Sequence, residues 1–271
     1  MYLRKMARDN SAPWTDNGLI RWGAALRITS MWFEIEKEKT PTLRNPAMVV
    51  AVSTSVQQYR AMYSQAREMG EYMLRKMKFE RIATVRSSAF PPEVIVRDGG
   101  VSSLPECQFH LSREGRDLVL FAGDTSPMED QYEFATVLLD YAAELGVKEL
   151  YSVGARWAEN PLSPEAEPEP NGFSTDRAGV AKLKKNGVKI VAEEPAPFFA
   201  SMVVGMAKER GIRGYKLSVD HGEPSPHPRS VARLLGVLSA MAEFDVQLEE
   251  PKASSKPQPP PKKANDSPIY R

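Results

Sequence analysis

The chain has 271 residues, 42% of them hydrophobic, which suffices for one large α/β domain with a sizeable core or two small ones; the pattern below favours one domain with tails. Thirty-six Lys and Arg against 35 Asp and Glu leave a net charge of +1, which excludes a global electrostatic pull towards nucleic acid or an anionic membrane. A single cysteine, Cys107, excludes an internal disulfide and points to a reducing compartment. No apolar run reaches the roughly 20 residues that span a bilayer and no signal-peptide core is present, so a soluble cytoplasmic protein is expected.

Met1 to Ser30, with Trp14 and Trp22 among basic and small residues, reads as an N-terminal extension, either packed on the domain or a neighbouring subunit, or frayed. Residues 31–250 read as a single α/β domain. Met31 to Glu36 is a first strand, Thr40 to Pro46 a turn, and Ala47 to Val52 a second strand. A long helix follows with Tyr59, Tyr63, Ala66, Gly70, Met73 and Met77 along one face, and Ile82 to Val85 resumes as a strand. Phe90 to Val96, the Asp98-Gly99-Gly100 turn and Gln108 to Leu111 have a different texture, that of short antiparallel strands joined by tight turns.

The stretch Asp117 to Glu129 carries the clearest pattern. Leu118 to Ala122 is an unbroken apolar run, as in a strand buried on both faces of a parallel sheet. Ser126, Pro127 and Glu129 then spell a capping box, and Met128, Tyr132, Ala135, Leu139 and Ala142 give a helical face ended by Gly146 before the strand Glu149 to Val153. Two strand, helix, strand units imply parallel pairing through right-handed crossovers. Ala158 to Gly172, with four prolines and four glutamates, reads as an exposed loop. Alternation resumes with helix Asp176 to Lys185, strand Val188 to Val191, helix Pro197 to Arg210, strand Tyr215 to Val219 and helix Pro226 to Glu243. The expected fold is therefore a three-layer α/β sandwich, a mixed, mostly parallel sheet between helices.

Residues 251–271 change character. Pro251 to Pro268 holds six prolines and four lysines with no large apolar side chain, too little to fold, so it reads as a disordered tether. Its reach is on the order of 55 Å at about 3.1 Å per residue in a polyproline-like form. Ile269, Tyr270 and Arg271 then supply an apolar side chain, an aromatic hydroxyl and a carboxylate, the elements of a docking peptide.

Chemistry-bearing candidates are few. Gly123, Asp124 and Thr125 lie at the carboxyl end of the Leu118 strand, where open α/β sheets bind ligands, and Asp98 heads a glycine turn; both also read as ordinary turn chemistry. Asp220, His221, Glu223 and His227 are possible metal ligands, but Pro224, Pro226 and Pro228 forbid a helical pair, and a polar loop is the plainer reading. Cys107 has no adjacent base and reads as a small buried side chain. Glycine-rich nucleotide cradles and nucleophile elbows are missing from the sequence, so neither a catalytic residue nor a cofactor is expected.

Several segments in order carry a resemblance. Leu43-Arg44-Asn45-Pro46 precedes the strand Ala47 to Val52; Ser88-Ala89-Phe90-Pro91-Pro92 leads to Asp98-Gly99; Phe121-Ala122-Gly123-Asp124 and Glu144-Leu145-Gly146-Val147 follow; and the loop His221 to Pro228 precedes a helix through Leu234 and Leu235. Over Thr42 to Glu249 the chain thereby resembles the proteasome-assembly-chaperone family, with archaeal and bacterial members. It departs at Ser53-Thr54-Ser55-Val56, where members often have a glycine-containing turn. The resemblance implies a fold similar to that of nucleoside phosphorylases. Some archaeal members end in a hydrophobic-tyrosine-any motif like that of proteasome-activating ATPases, and Ile269, Tyr270 and Arg271 match it. It implies that Ile269 fills an apolar patch, Tyr270 packs and hydrogen-bonds, and the terminal carboxylate meets a lysine in a pocket between α subunits of the 20S core particle.

Two readings follow. The first is a non-enzymatic proteasome-associated assembly chaperone or docking protein, a homo-oligomer whose several tails raise avidity. The alternative is a phosphorylase- or ligase-like enzyme with a small-molecule pocket at the carboxyl ends of the sheet, using Gly123, Asp124 and the His221 loop.

Overall fold

The computed structural model describes residues 31–52, 60–157, 167–191, 195–221 and 228–248. The N-terminal extension, the Ser53–Val56 turn, residues 158–166 and the segment 251–271 lie outside them. Eleven strands and five α-helices follow one another among the described residues. They are β1 (Phe33–Lys37), β2 (Ala47–Ala51), α1 (Arg60–Lys76), β3 (Glu80–Ser87), β4 (Ile95–Val96), β5 (Ser102–Ser103), β6 (Cys107–Ser112), β7 (Leu118–Gly123), α2 (Gln131–Glu144), β8 (Glu149–Trp157), β9 (Pro170–Ser174), α3 (Arg177–Lys185), β10 (Lys189–Ile190), α4 (Phe199–Ala207), β11 (Arg213–His221) and α5 (Pro228–Ala242).

Nine strands form one mixed sheet in the order β1-β3-β6-β7-β2-β8-β11-β9-β10. The central four, β7, β2, β8 and β11, run parallel. Antiparallel strands β6, β3 and β1 extend one side, and β9 turns back against β11 on the other. Alternate side chains of β2 divide the core. Met48 and Val50 pack with α2 and α4, while Ala47, Val49 and Ala51 pack with α1 and α5. The expected three-layer α/β sandwich with a mixed sheet is the one observed.

The helices end where the glycines stand: Gly146, Gly187 and Gly211 adopt φ of 78°, 72° and 67°, the left-handed region a helix terminus needs. Asp176 caps α3, its carboxylate accepting from the Gly179 N–H at 2.6 Å. On α2 the buried face is Phe134, Ala135, Leu138, Leu139, Tyr141 and Ala142. Phe134 is its centre, with ring centroids 5.1 Å from Phe33, 5.3 Å from Phe90 and 5.5 Å from Phe199. One buried ring thus ties together the edge strand, the segment after β3, and α4.

Several local expectations are corrected. The capping box does not form: α2 begins at Gln131, because the Met128 N–H is drawn to the Ala89 carbonyl at 2.8 Å and Asp130 turns the chain with φ of 46°. Ser126 Oγ is buried without a hydrogen-bond partner, and Met128 and Tyr132 point outward. β3 does not pair with β2. It lies beyond β7 and β6, since β7 is apolar on both faces and occupies the doubly buried place beside β2, whereas β3 opens on exposed Glu80 and Arg81. Pro170 to Gly172 belong not to a loop but to β9, where Pro170 is tolerated as the first strand residue. The turn Asp98-Gly99-Gly100 joins β4 and β5 into a separate two-stranded ribbon, while β6 adds antiparallel to the main sheet as expected.

Replacing Phe134 by Ala removes the ring on which three aromatic partners converge. A loss of ~3–4 kcal/mol in unfolding free energy is expected, read by urea denaturation of the full chain, against under ~0.5 kcal/mol for Tyr132→Ala two residues earlier on the solvent side.

Candidate functional site

At the carboxyl end of β7 the expected ligand loop is a closed turn. Gly123 is required by backbone approach, since a side chain there would run into the Glu106 carbonyl and come within 2.5 Å of Cys107 Cα. The Asp124 N–H donates to the Glu106 carbonyl at 3.0 Å. Its carboxylate accepts from Arg97 Nη2 at 2.9 Å and from the Glu106 N–H at 3.4 Å. Thr125 is buried; its Oγ1 donates to the Ser126 carbonyl, and its own carbonyl accepts the Cys107 thiol proton at 3.1 Å. Burial pushes the Cys107 thiol well above its ordinary pKa, which leaves it a poor nucleophile. Arg97, rather than its neighbour Asp98, makes the contact with Asp124, and Asp98 stands exposed in the ribbon turn.

At the end of β11, Asp220 Oδ1 accepts from Asn171 Nδ2 at 2.6 Å, and Asn171 Oδ1 accepts from Ser218 Oγ at 2.6 Å. His221 is the last residue of β11, in register with Trp157. Glu223 and His227 lie outside the described residues, as do Ile269, Tyr270 and Arg271. Among the described residues no three His, Cys, Asp or Glu side chains gather as a metal site.

Two polar centres stand out that sequence reasoning missed. The first lies at the amino ends of β8 and β11, beside a cleft of ≈ 540 Å3 lined by Arg116, Lys148, Lys182, Lys208 and Arg213 among others. Glu149, only 14% exposed, sits between Arg116 Nη1 at 2.7 Å and Lys182 Nζ at 2.8 Å. The hydroxyls of Tyr151 and Tyr215 each lie 3.1 Å from its oxygens, and the two rings stack at 4.7 Å. Burial by itself raises the carboxyl pKa, but the hydrogen bonds and charges of Lys182 and Arg116 outweigh it and hold Glu149 at about 2. A carboxylate fixed in its charged form does not shuttle protons at neutral pH. It clamps α3, β8 and β11 together.

The second is Lys216, 7% exposed in the middle of β11. Its neighbours Tyr215, Leu217 and Val219 face α1 and α5, so Lys216 and Ser218 face the α4 side. Across the strand pair stand Ser152, whose buried Oγ has no hydrogen-bond partner, and Gly154, whose missing side chain leaves room for Lys216 Nζ. Nζ donates to the Leu217 carbonyl at 3.2 Å. No carboxylate pairs with it among the described residues, and burial lowers its pKa to about 7. The alternation of Tyr-Lys-Leu-Ser-Val is that of a half-solvated strand; the covering helix turns the polar half inward.

The model of the PAC2 family matches residues 66–255. The chain belongs to the PAC2 family. Among solved structures, PbaB of Pyrococcus furiosus, an archaeal proteasome activator, superposes with a TM-score of 0.69 at 19% identity over 80% of this chain and 91% of that one. PbaA of the same organism, an archaeal homolog of proteasome-assembly chaperone, gives 0.63 at 17% identity over 80% and 88%. A proteasome-assembly chaperone homologue of Mycobacterium tuberculosis gives 0.61 at 16% identity over 75% and 87%. These likenesses establish a shared fold. In sequence, an uncharacterized protein of Methanocaldococcus jannaschii is 21% identical over 183 residues, 66% of this chain and 70% of that protein. The PAC2 match takes in Gly123–Thr125, the Glu149 clamp and Lys216, and leaves out β1, β2 and residues 256–271.

Both polar centres yield tests through pH. A carboxyl with a depressed folded pKa stabilises fully above its unfolded value near 4.5 and loses that contribution as pH falls towards about 2. Glu149→Gln strands Arg116 and Lys182, so it should cost ~3 kcal/mol at pH 7 and flatten the pH dependence of urea stability between pH 4.5 and 2. For Lys216 the slope has the same sign, but the shift costs stability at neutral pH instead of adding to it. Its folded pKa of about 7 lies below the unfolded value, so the wild-type chain gains stability as pH rises from 7 towards 10, where the unfolded chain alone still binds the proton. Lys216→Met should raise stability at pH 7 by ~2 kcal/mol and remove that rise. A variant that is less stable at pH 7 with an unchanged profile contradicts a neutral, unpaired amine.

Proposed function

We propose that this PAC2 protein is a proteasome-associated chaperone or docking protein, a cytoplasmic homo-oligomer that binds the α ring of the 20S core particle through Ile269, Tyr270 and Arg271 at the end of the tether 251–268. The observation that carries the reading is the tail itself: a hydrophobic-tyrosine-any ending follows 18 residues too poor in large apolar side chains to fold, on a PAC2 domain. Its support is the fold shared with PbaB and PbaA, the one a proteasome activator and the other a homolog of an assembly chaperone. In this reading Ile269 fills an apolar depression, the Tyr270 ring packs beside it, and the carboxylate of Arg271 pairs with a lysine of the α ring.

The folded part serves as a carrier, in keeping with how its polar groups are engaged. Asp124 is engaged by Arg97 and Glu106, Glu149 is locked as an anion, and Cys107 is buried, so these groups are committed within the fold. Those commitments favour docking over the alternative of a small-molecule enzyme at the carboxyl ends of the sheet.

Purified full-length chain should bind the host 20S core particle in a pull-down and by interferometry, and deletion of residues 269–271 should abolish binding while leaving the melting temperature of the domain unchanged. Retained binding by the folded truncation contradicts the tail as the docking element. Peptide hydrolysis by the complex then separates gate opening, which raises the rate, from an assembly role, which does not.

A further inference from the structure

The cleft at the amino ends of β8 and β11 carries a local charge that the chain as a whole does not. Against a net charge of +1 over 271 residues, it gathers five cations, Arg116, Lys148, Lys182, Lys208 and Arg213. Three carboxylates, Glu149, Asp176 and Glu243, stand beside them, so the surplus is two positive charges. Two of these carboxylates are bound within the fold: Glu149 by Arg116 and Lys182, and Asp176 by Arg213 Nε at 2.8 Å and by the Gly179 N–H it caps. Lys148 and Lys208 are exposed and have no carboxylate partner among the described residues.

The backbone sets both lysines at this place. Lys148 enters β8 with its carbonyl accepting from the Arg213 N–H at 2.9 Å. Lys208 is held beside the start of β11 by Gly211, whose φ of 67° closes the turn and whose N–H donates to the Lys208 carbonyl at 3.0 Å. Arg116 commits Nε to the Asn45 carbonyl at 2.8 Å and Nη1 to Glu149 at 2.7 Å. Its Nη2, on a side chain only 9% exposed, has no partner among the described residues. Donors and positive charge are thus in surplus in a cleft of ≈ 540 Å3, within the ~300–1,000 Å3 of small-molecule sites.

The lining narrows the ligand. Ile212 is its one large apolar side chain among the described residues, and at 2% exposed it offers a hydrophobic body no surface to cover. The occupant is therefore compact, hydrophilic and multiply negative. The cations come from the approaches to β7 and β8, from α3 and from the turn before β11, so donors reach the cleft from several elements. The tetrahedral oxygens of a phosphate accept from several directions, whereas a carboxylate accepts in one plane. Glu149, fixed as an anion, moves no proton at neutral pH, so the cleft is built to hold such a ligand and not to transform it.

We propose that this cleft binds a compact phosphate-bearing polyanion of the diphosphate kind, with Lys148 and Lys208 supplying the charge and Arg116 Nη2 a directed hydrogen bond. The ligand would tie the turns before β8 and β11 to α3 and stabilise the native chain. The inference uses neither the tail nor the proteasome, and stands or falls apart from the docking function.

Isothermal titration of the full-length chain with sodium pyrophosphate, at about 100 mM chloride, tests it. Saturable binding with a rise in melting temperature is expected, and inorganic phosphate should bind at least ~10-fold more weakly. Lys148→Ala with Lys208→Ala should weaken pyrophosphate binding at least ~10-fold and leave the melting temperature of the free chain unchanged, since neither lysine is paired in the fold. Lys208→Glu alone should weaken it as much. Arg229→Gln with Arg233→Gln removes exposed cations at the far end of α5 from Glu243 and should leave binding unchanged. No saturable binding by the wild-type chain, wild-type affinity in the folded lysine variants, or an equal loss in the α5 pair overturns the proposal. Citrate binding more tightly than pyrophosphate overturns the phosphate class.

Discussion

β2 is the constraint on which the rest of the structure depends. Its five residues, Ala47 to Ala51, are buried on both faces and hydrogen-bonded on both edges, to β7 and β8. A strand in that position cannot be polar anywhere and cannot carry large side chains everywhere, because a helix must approach each face. Alanines and a valine face α1, where Gly70 brings the helix backbone against Ala51 and Ala122; methionine and valine face the aromatic layer of α2 and α4. Burial on that scale contributes ~1.5–3 kcal/mol for each large side chain, so the central strands hold the fold and the outer strands can vary. β6, β3 and β1 are accordingly added in antiparallel order, each with more exposed residues than the strands at the centre.

That gradient explains which parts of the fold were legible. Leu118–Ala122 read as a doubly buried strand and Ala47–Val52 as a strand because no polar residue interrupts them, and Gly146 marked a helix end, as Gly187 and Gly211 also do, because the left-handed region suits those positions. The α2 start misled for a tertiary reason. Ser126, Pro127 and Glu129 have the local chemistry of a cap, yet the Met128 N–H is taken by the carbonyl of Ala89, from a segment 39 residues earlier, and the helix begins later. The place of β3 was equally invisible, since a strand, helix, strand pattern fixes direction and handedness but not how many strands lie between. Pro170 and its flanking glutamates spoke for a loop, while the buried Asn171 side chain, bound to Ser218 and Asp220, makes a strand.

The polar centres were hidden for the converse reason. Lys216 and Ser218 alternate with apolar residues as in a strand open to water on one side, and nothing local states that α4 will cover that side. Glu149 looks like a routine polar residue at a strand start, although four groups from β7's approach, β8, α3 and β11 converge on it. A charge so satisfied orients the elements that meet there more than it stabilises them, because its desolvation offsets much of its attraction. The chain thus commits its buried charges to architecture, and chemistry at the carboxyl end of β7 is limited by the same economy, with Asp124 spent on holding the ribbon.

Holding the ribbon gives that ion pair a further consequence. Arg97 ties the β4–β5 hairpin, which forms its own two-stranded sheet, to the carboxyl end of β7 through Asp124, so the hairpin is held against the domain without pairing into the main sheet. If the tail docks as proposed, the 18 residues before Ile269 limit its reach to ~55 Å, and several tails carried on one assembly would offer the second binding event a high local concentration.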